Sequence, residues 1–137
     1  MLDVELVSPE RILFSGQASF VRVRTVGGGE LAFLTGHAPF IGALDICAVK
    51  LITDDGVEQL VAVHGGFVEV SDDRVTILSD VAELAEDIDV ARAERAREAA
   101  EAAVRADPDD EEAQAALKRA EIRVEVGSET PATAARH

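Results

Sequence analysis

Aromatic residues and positive charge are both scarce in this chain of 137 residues. It has no Trp, no Tyr and 5 Phe, so it has few rings on which nucleic acid bases could stack. Its 13 Lys and Arg face 27 Asp and Glu, which gives a net charge of −14. A surface of that charge repels phosphate backbones and anionic lipid. We therefore expect no nucleic acid partner and no polybasic membrane contact.

Cysteine and long hydrophobic runs are also missing. Cys47 is the only cysteine, so no internal disulfide can form, which is typical of a reducing compartment. It lies in the apolar run 44–52, which predicts a buried and inert thiol. No apolar stretch approaches the roughly 20 residues that span a bilayer. The sequence therefore predicts no direct membrane insertion.

The first part of the chain, up to about Asp80, is rich in β-branched residues and glycine. Alternation of apolar and polar residues predicts short strands at 2–7, 20–26, 57–64, 66–70 and 74–79. The pair Asp55-Gly56 predicts a two-residue hairpin turn, and Ser71-Asp72-Asp73 is a second turn signal. Many short strands with closely spaced turns favour an antiparallel β-sandwich or barrel.

The second part is rich in alanine and charge, which predicts two helices. Asp89 is a suitable N-cap for a helix that ends near Arg105. Asp107 is a suitable N-cap for the next helix, with Pro108 at its first position. The short link between the helices predicts an antiparallel hairpin. Residues 127–137 have the composition of a disordered tail.

The predicted packing surface of the hairpin consists mainly of alanine. Its members are Ala93, Ala96, Ala100, Ala103 and Val104 on the first helix and Ala113, Ala116, Leu117, Ala120 and Val124 on the second. Each buried methyl contributes only about 0.8 kcal/mol, so the hairpin docks weakly. We interpret it as an arm that detaches and redocks. A permanently docked hairpin is the alternative.

No motif of an enzyme is present. The histidines His37, His64 and His137 are not at metal-ligand spacing from one another or from Cys47, which argues against a metal site. The sequence has no phosphate-binding glycine loop and no nucleophile elbow. His64 precedes two glycines and is interpreted as a strand-end residue. We predict no catalytic centre.

A pair of arginines is the one unusual basic feature. Arg119 and Arg123 lie one turn apart on the same face of the second predicted helix, where like charges destabilise it. An antiparallel hairpin brings Arg92 of the first helix near them. Guanidinium groups in such a cluster suit phosphate oxygens or a partner's carboxylates. The alternative is that each arginine pairs with a neighbouring acid, as Arg105 could with Glu101.

Several motifs, taken in order, resemble one family. The segments 29–39 (GELAFLTGHAP), 64–70 (HGGFVEV), 75–78 (VTIL) and 88–93 (IDVARA) resemble motifs of the ε subunit of bacterial F-type ATP synthases. Residues 8–11 and 14–16 match the opening of that family. The resemblance extends to about residue 126.

The resemblance implies a ten-stranded β-sandwich at 1–84, a regulatory helical hairpin at 85–126 and a tail at 127–137. It implies a non-catalytic subunit of the central stalk, peripheral to the cytoplasmic face of the bacterial cell membrane. Its sandwich would contact the γ subunit and the c-ring. Its extended hairpin would reach the catalytic β subunits and inhibit ATP hydrolysis, while the subunit couples proton-driven rotation to ATP synthesis.

The resemblance also implies functional residues. Glu30 and His37 fall on the edge that faces the c-ring. A nucleotide site on the folded hairpin would comprise Glu83, Ile88, Asp89, Arg92, Ala93, Arg119 and Arg123. No cofactor is required, and ATP would be a regulatory ligand. The chain departs from the family pattern at Ala32, Thr35 and Ala99. The alternative function is a free-standing module that senses ATP.

Overall fold

Strands form the first part of the chain and helices the second, in the computed structural model, which describes residues 1–129. The strands are β1 (Leu2–Val7), β2 (Ile12–Thr25), β3 (Gly29–Phe33), β4 (Phe40–Thr53), β5 (Glu58–Ser71), β6 (Arg74–Leu78) and β7 (Ala82–Leu84). A 3-10 turn at Ala85–Asp87 leads into helices α1 (Val90–Ala106) and α2 (Glu111–Gly127). The predicted order of a β-sandwich followed by a helical hairpin is confirmed.

Alternating side chains build the core of the sandwich. In β1 the apolar residues Leu2, Val4 and Leu6 are buried, while Asp3 and Glu5 face solvent. The same alternation in the other strands directs their branched side chains inward. The largest fully buried side chains are Phe33, Leu2, Leu6, Leu51, Ile77, Val21, Val23, Val49, Val61, Val63, Val68 and Val70.

The strands pair in a closed circuit. β1 pairs with β2 and β6, β6 with β5, β5 with β4, and β4 with β2. β3 and β7 are added to β2 and β5. Described pairings are antiparallel apart from the parallel pair of β1 and β6. The circuit leaves fewer open strand edges and encloses the core.

The described residues form seven strands, where the resemblance implied ten. The difference lies in β2, β4 and β5, which each run for 14 residues and change partners along their length. β5 pairs with β7 in its first half and with β6 in its second. The predicted strands at 57–64 and 66–70 are therefore one strand, and His64 lies inside it rather than at a strand end.

The two-residue turn occurs at a different place from the one predicted. β4 and β5 are joined by four residues, in which Gly56 has a φ of +83° and Asp55 does not have a positive φ. The tight turn is Asp72-Asp73, between β5 and β6, with φ values of +52° and +59°, which confirms the second predicted turn. Aspartate tolerates this conformation better than most residues.

The helix caps confirm one prediction and correct another. Asp89 caps α1, because its Oδ1 accepts a hydrogen bond from the backbone N–H of Arg92 at 3.1 Å. Helix α2 is capped by Asp110, which accepts from Glu112 and Ala113, so the prediction of Asp107 was wrong. Asp107 instead ends α1, and its N–H donates to the carbonyl of Ala103 at 3.0 Å. Because α1 continues to Ala106, the second cap is displaced along the chain.

The hairpin is docked on the sandwich through α2, which contacts β4 and β5. Its helices meet through small residues, since Ala93, Ala100, Ala113 and Ala120 are buried. Ala96 and Ala103, which were predicted to be part of this surface, are exposed. Val126, which was not predicted, is fully buried. The docked hairpin is thus held by little apolar area, and its detachment stays a prediction.

The predicted tail, residues 127–137, differs from the structure at the first residue of that tail. Gly127, assigned to the tail, is the last residue of α2 and packs closely on Ile88 and Val90. Residues 130–137 of the predicted tail lie outside the described residues. Among the described helices, none is long and apolar enough to cross a membrane.

Candidate functional site

A cavity of about 330 Å³ lies where the hairpin meets the end of the sandwich. β7, the 3-10 turn, α1 and α2 all contribute to it. Its lining residues are Glu83, Asp87, Ile88, Asp89, Arg92, Ala93, Ala96 and Arg123. The volume is at the lower end of the range for small-molecule sites. The cavity depends on docking, because Arg123 belongs to α2.

The carboxylates of the cavity already have partners. Asp87 accepts from Arg11 at 2.6 Å, and Asp89 caps α1. Glu83 Oε1 accepts from Arg123 Nε at 2.7 Å and from His64 Nε2 at 2.9 Å. These bonds offset part of the negative charge of the three acids that line the cavity. An anionic ligand there would meet less repulsion than the residue count suggests.

Arg92 lines the cavity, and its positive charge has no counter-charge among residues 1–129. Within residues 1–129, its guanidinium makes no hydrogen bond or ion pair, and only its backbone N–H is bonded. It lies in the first turn of α1, which contains no acidic residue, whereas α2 has Glu111 and Glu112 in its first turn. A helix N-terminus carries partial positive charge, so a cation there destabilises the helix. A bound anion would relieve this repulsion.

Hydrogen bonds, burial and nearby charge together set the protonation of Glu83 and His64. Partial burial opposes the charge of Glu83, but bonds from Arg123 and His64 outweigh it and hold the pKa of Glu83 below its ordinary value. Burial is the main cause that lowers the pKa of His64, against the effect of its bond to Glu83. The positive charge of Arg123 lowers the pKa of His64 further. At neutral pH the cluster is therefore an ionised Glu83 between Arg123 and a neutral imidazole.

The structure brings together most of the predicted nucleotide residues. Six of the seven line the cavity: Glu83, Ile88, Asp89, Arg92, Ala93 and Arg123. Arg119 does not line it, because it turns along α2 to Glu112 at 2.7 Å, as the alternative of local pairing expected. Asp87 and Ala96 line the cavity but were missed. No local sequence signal marks them, since their place depends on how the turn packs against α2.

The two residues predicted to face the c-ring lie apart, near opposite ends of β3. Glu30, at the start of the strand, is exposed and lies 3.4 Å from Arg24. His37 follows the strand, and its ring meets Phe33 edge-on with 4.9 Å between centroids. Its Nδ1 lies 2.7 Å from the carbonyl of Ala38. The structure therefore does not join Glu30 and His37 in one cluster.

An apolar row on the outer face of the sandwich was not predicted. Cα pairing aligns Ala43, Phe67, Leu78, Val7 and Ile12 across five strands, β4, β5, β6, β1 and β2. Phe67 is 60% exposed, Leu78 52% and Ile12 62%. Contiguous exposed apolar side chains commonly mark protein interaction sites. Single strands do not reveal such a row, because it appears only when the register of all five is known.

Comparison with known proteins accounts for both parts of the chain. Residues 1–85 match the β-sandwich domain of the ATP synthase delta/epsilon chain, and residues 86–127 match its long α-helix domain. The ATP synthase epsilon chain of Streptomyces griseus is 42% identical over 123 residues, covering 90% of this chain and 92% of that protein. The ATP synthase epsilon chain of Brevibacillus brevis is 46% identical over 100 residues, covering 73% of this chain and 75% of that protein.

Solved structures agree with this assignment. The structure of the Euglena gracilis mitochondrial ATP synthase, which comprises OSCP, F1 and the c-ring, contains a chain that is similar to this one. That chain has a TM-score of 0.66 and 26% identity, with coverage of 99% of this chain and 81% of its own length. Matches therefore extend over the sandwich and the hairpin alike. The chain belongs to the epsilon chains of ATP synthase, a family of subunits of the rotary complex's central stalk.

Proposed function

We propose that this chain is a non-catalytic subunit that couples rotation to ATP synthesis and inhibits ATP hydrolysis through its hairpin. Family membership supports its place in the complex. Among the described residues, no group of acids, histidines or cysteines could hold a metal ion. The subunit would lie at the cytoplasmic face of the bacterial cell membrane, attached through its partners.

The outer apolar row is the surface that we assign to the γ subunit. Phe67, Leu78 and Ile12 each expose more than half of their surface, so a partner that covers them gains hydrophobic free energy. The c-ring would meet the separate edge that carries Glu30 and His37. The two surfaces use different chemistry, since the first is apolar and the second carries charge and an imidazole.

The hairpin has the properties that a movable arm requires. Its attachment to the sandwich uses α2, with ion pairs from Lys118 to Asp45 and from Arg123 to Glu83. Both pairs are partly exposed, and such pairs contribute little net free energy. An arm held this way can exchange a docked position for an extended one along γ, where it would contact the catalytic β subunits and stop hydrolysis.

ATP is the ligand that we assign to the docked arm. The observation that carries this proposal is the unpaired Arg92 guanidinium in a cavity formed jointly by both helices and β7. Arg92 and the first turn of α1 would bind phosphate oxygens, while Ile88 and Ala93 offer apolar contact. Because Arg123 lines the cavity only when α2 is docked, ATP would stabilise the docked and non-inhibitory position.

Calorimetry tests the nucleotide site directly. We expect the isolated chain to bind ATP and Arg92→Ala to weaken binding at least tenfold, since a charge-assisted bond contributes about 1.5–3 kcal/mol. Arg95→Ala is the matched control, because Arg95 is an exposed arginine of the same helix that does not line the cavity. Equal affinities for wild type and Arg92→Ala would remove Arg92 from the site.

A crosslink tests inhibition by the arm. In a Cys47→Ser background, Asp45→Cys and Lys118→Cys place thiols where α2 meets β4. A bismaleimide that joins them should hold the arm down and raise ATP hydrolysis by the reconstituted complex. The same double variant without crosslinker is the control. Unchanged hydrolysis after complete crosslinking would contradict inhibition by the arm.

A free-standing ATP-sensing module is the second candidate, because the cavity is formed without any partner chain. Copurification with γ separates the two functions. Loss of γ binding on Phe67→Glu, with ATP binding retained, would support the central-stalk function. A wild-type chain that binds ATP but neither γ nor the complex would support the sensor.

A further inference from the structure

His64 and Arg123 both donate a hydrogen bond to the same oxygen atom. They belong to two parts of the molecule that move apart in the proposed function. Glu83 Oε1 accepts from His64 Nε2 of β5 at 2.9 Å and from Arg123 Nε of α2 at 2.7 Å. His64 and Glu83 stay in the sandwich when the hairpin leaves, and Arg123 leaves with it. The arrangement therefore changes from a three-residue cluster to a single pair on release.

The tautomer of His64 follows from this geometry. A carboxylate only accepts hydrogen bonds, so Nε2 carries the hydrogen and Nδ1 of the neutral ring has a lone pair. The His64 side chain is only 4% exposed, and Nδ1 is buried without a partner among residues 1–129. A second proton would create an N–H group at Nδ1 with no acceptor. Leaving a buried donor unbonded is unfavourable.

The charges that α2 places near the imidazole also oppose its protonation. From α2, both Arg123 and Arg119 oppose a positive charge on His64, and from β7 Glu83 favours it. On β4, next to β5, Asp45 is neutralised by Lys118 at 2.9 Å. Asp80 and His64 both line a second cavity, separate from the one at the hairpin. In the docked state Glu83 is already shared with Arg123, so little negative charge is left to stabilise a protonated ring.

We propose that protonation of His64 releases the hairpin, so that the docked arm senses pH through the shared carboxylate of Glu83. On release, Arg123 withdraws, the imidazole gains access to water, and Glu83 pairs with the protonated ring alone. The proton enters from solvent at Nδ1, and no bond other than this N–H forms. This inference rests on the proposed mobility of the hairpin. It does not require that the chain binds a nucleotide.

The direction of the effect follows from linkage. In the docked state, burial and the charges of Arg123 and Arg119 hold the pKa of His64 below its ordinary value. Release would remove both arginines, so the docked state binds fewer protons than the released state. Docking is therefore most stable above the pKa of the released state and weakens as pH falls between the two values. One proton changes the ratio of released to docked molecules by at most about tenfold per pH unit in that range.

Spin labels on the full chain can follow the transition. In a Cys47→Ser background, cysteines at the exposed positions Glu69 of β5 and Glu121 of α2 report the distance between sandwich and hairpin by pulsed electron resonance. As the pH falls from 8 to 5, we expect the population with the longer distance to increase, by at most about tenfold per pH unit. His64→Gln should abolish this change, because an amide can donate to Glu83 but does not titrate. His37→Gln, in a distant loop, should leave it intact.

The outcomes separate this inference from the proposed function. A distance distribution that does not change with pH in the wild type overturns the inference. A change that persists in His64→Gln also overturns it, although it would leave the mobility of the arm supported. Arg123→Gln tests mobility independently, since loss of the bond to Glu83 should populate the longer distance at pH 8. A single distance in that variant at every pH would count against the movable arm itself.

Discussion

The sandwich and the hairpin are stabilised in different ways. The sandwich buries large branched and aromatic side chains such as Phe33, Leu6 and Leu51 at 0% exposure. The hairpin buries chiefly alanine and relies on good helix formers, two aspartate caps and a few ion pairs. Hydrophobic free energy scales with the area removed from water, so the first part gains far more per residue. This difference is what the proposed function requires, because the hairpin would move while the sandwich stays folded.

The same Gly→Ala change should act very differently in the two parts. A Cβ at Gly66 in β5, where φ is +131°, would lie 2.1 Å from the backbone oxygen of Leu78. That oxygen belongs to the paired strand β6 and cannot move away, so we expect Gly66→Ala to cost about 4 kcal/mol or more of unfolding free energy. Urea unfolding followed by circular dichroism is the measurement, since the chain has no Trp or Tyr.

Gly127→Ala is the matched change in the hairpin. Its Cβ would lie 2.7 Å from Cγ2 of Val90, a side chain that has more freedom than a paired backbone. It would also lie 2.9 Å from Cγ2 of Ile88, and the higher helix propensity of alanine, about 1 kcal/mol, offsets only part of this crowding. We expect the sandwich to keep its stability and hydrogen exchange to quicken only in the hairpin. Equal losses of stability in the two variants would contradict the contrast between the parts.

Truncation of leucine gives the next largest expected effect. Leu6 is fully buried in β1, and Leu6→Ala should lower the free energy of unfolding by about 3 kcal/mol, since it leaves a cavity in the core. Leu117 of α2 is only partly buried, so Leu117→Ala should cost about 1 kcal/mol. Hydrogen exchange should quicken throughout the chain in the first variant and in the hairpin alone in the second. Global quickening in both would mean that the hairpin and sandwich unfold as one unit.

Local patterns predicted the features that local chemistry determines. β1 follows from the alternation of Leu2, Val4 and Leu6 with acids, and the start of α1 follows from the capping geometry of Asp89. The start of α2 did not follow, because three aspartates lie within four residues and the end of α1 decides which of them is free to cap. The strand count failed for a similar reason, since the long strands change partners without a break.

Contacts between distant residues limited the prediction of the site. The motif 88–93 placed Asp89, Arg92 and Ala93, which lie at the N-cap and the start of α1 and line the cavity. The bond between His64 and Glu83 joins residues 19 positions apart and depends on the pairing of β5 with β7. Arg119 was misplaced because its rotamer follows Glu112 along the helix rather than the cavity. Sequence periodicity fixes which face a residue lies on and leaves its partner undetermined.

The correction of the second cap leads to a smaller prediction. Asp110 accepts from two backbone N–H groups at the start of α2, so Asp110→Ala should destabilise the hairpin by about 1 kcal/mol. Asp107→Ala should cost less than about 0.5 kcal/mol, since the Asp107 carboxylate accepts only from Asp109 and lies at the unfavourable C-terminal end of α1. The rate of proteolysis within 107–112 measures both. A larger effect at Asp107 would restore it as the cap.

The smallest expected effect concerns the ion pair between Lys118 and Asp45, which joins α2 to β4 at 2.9 Å. The Lys118 side chain is 49% exposed, and pairs in such positions contribute less than about 1 kcal/mol. Lys118→Met keeps most of the side-chain stem and removes the charge, so urea unfolding of the sandwich should not change measurably. The population of released hairpin should rise about two- to fivefold at low salt, which corresponds to a few tenths of a kcal/mol to 1 kcal/mol. Screening by salt should reduce the difference from wild type. Glu121→Gln, an exposed change on the same helix, is the control, and an equal effect from it would assign the result to net charge rather than to this contact.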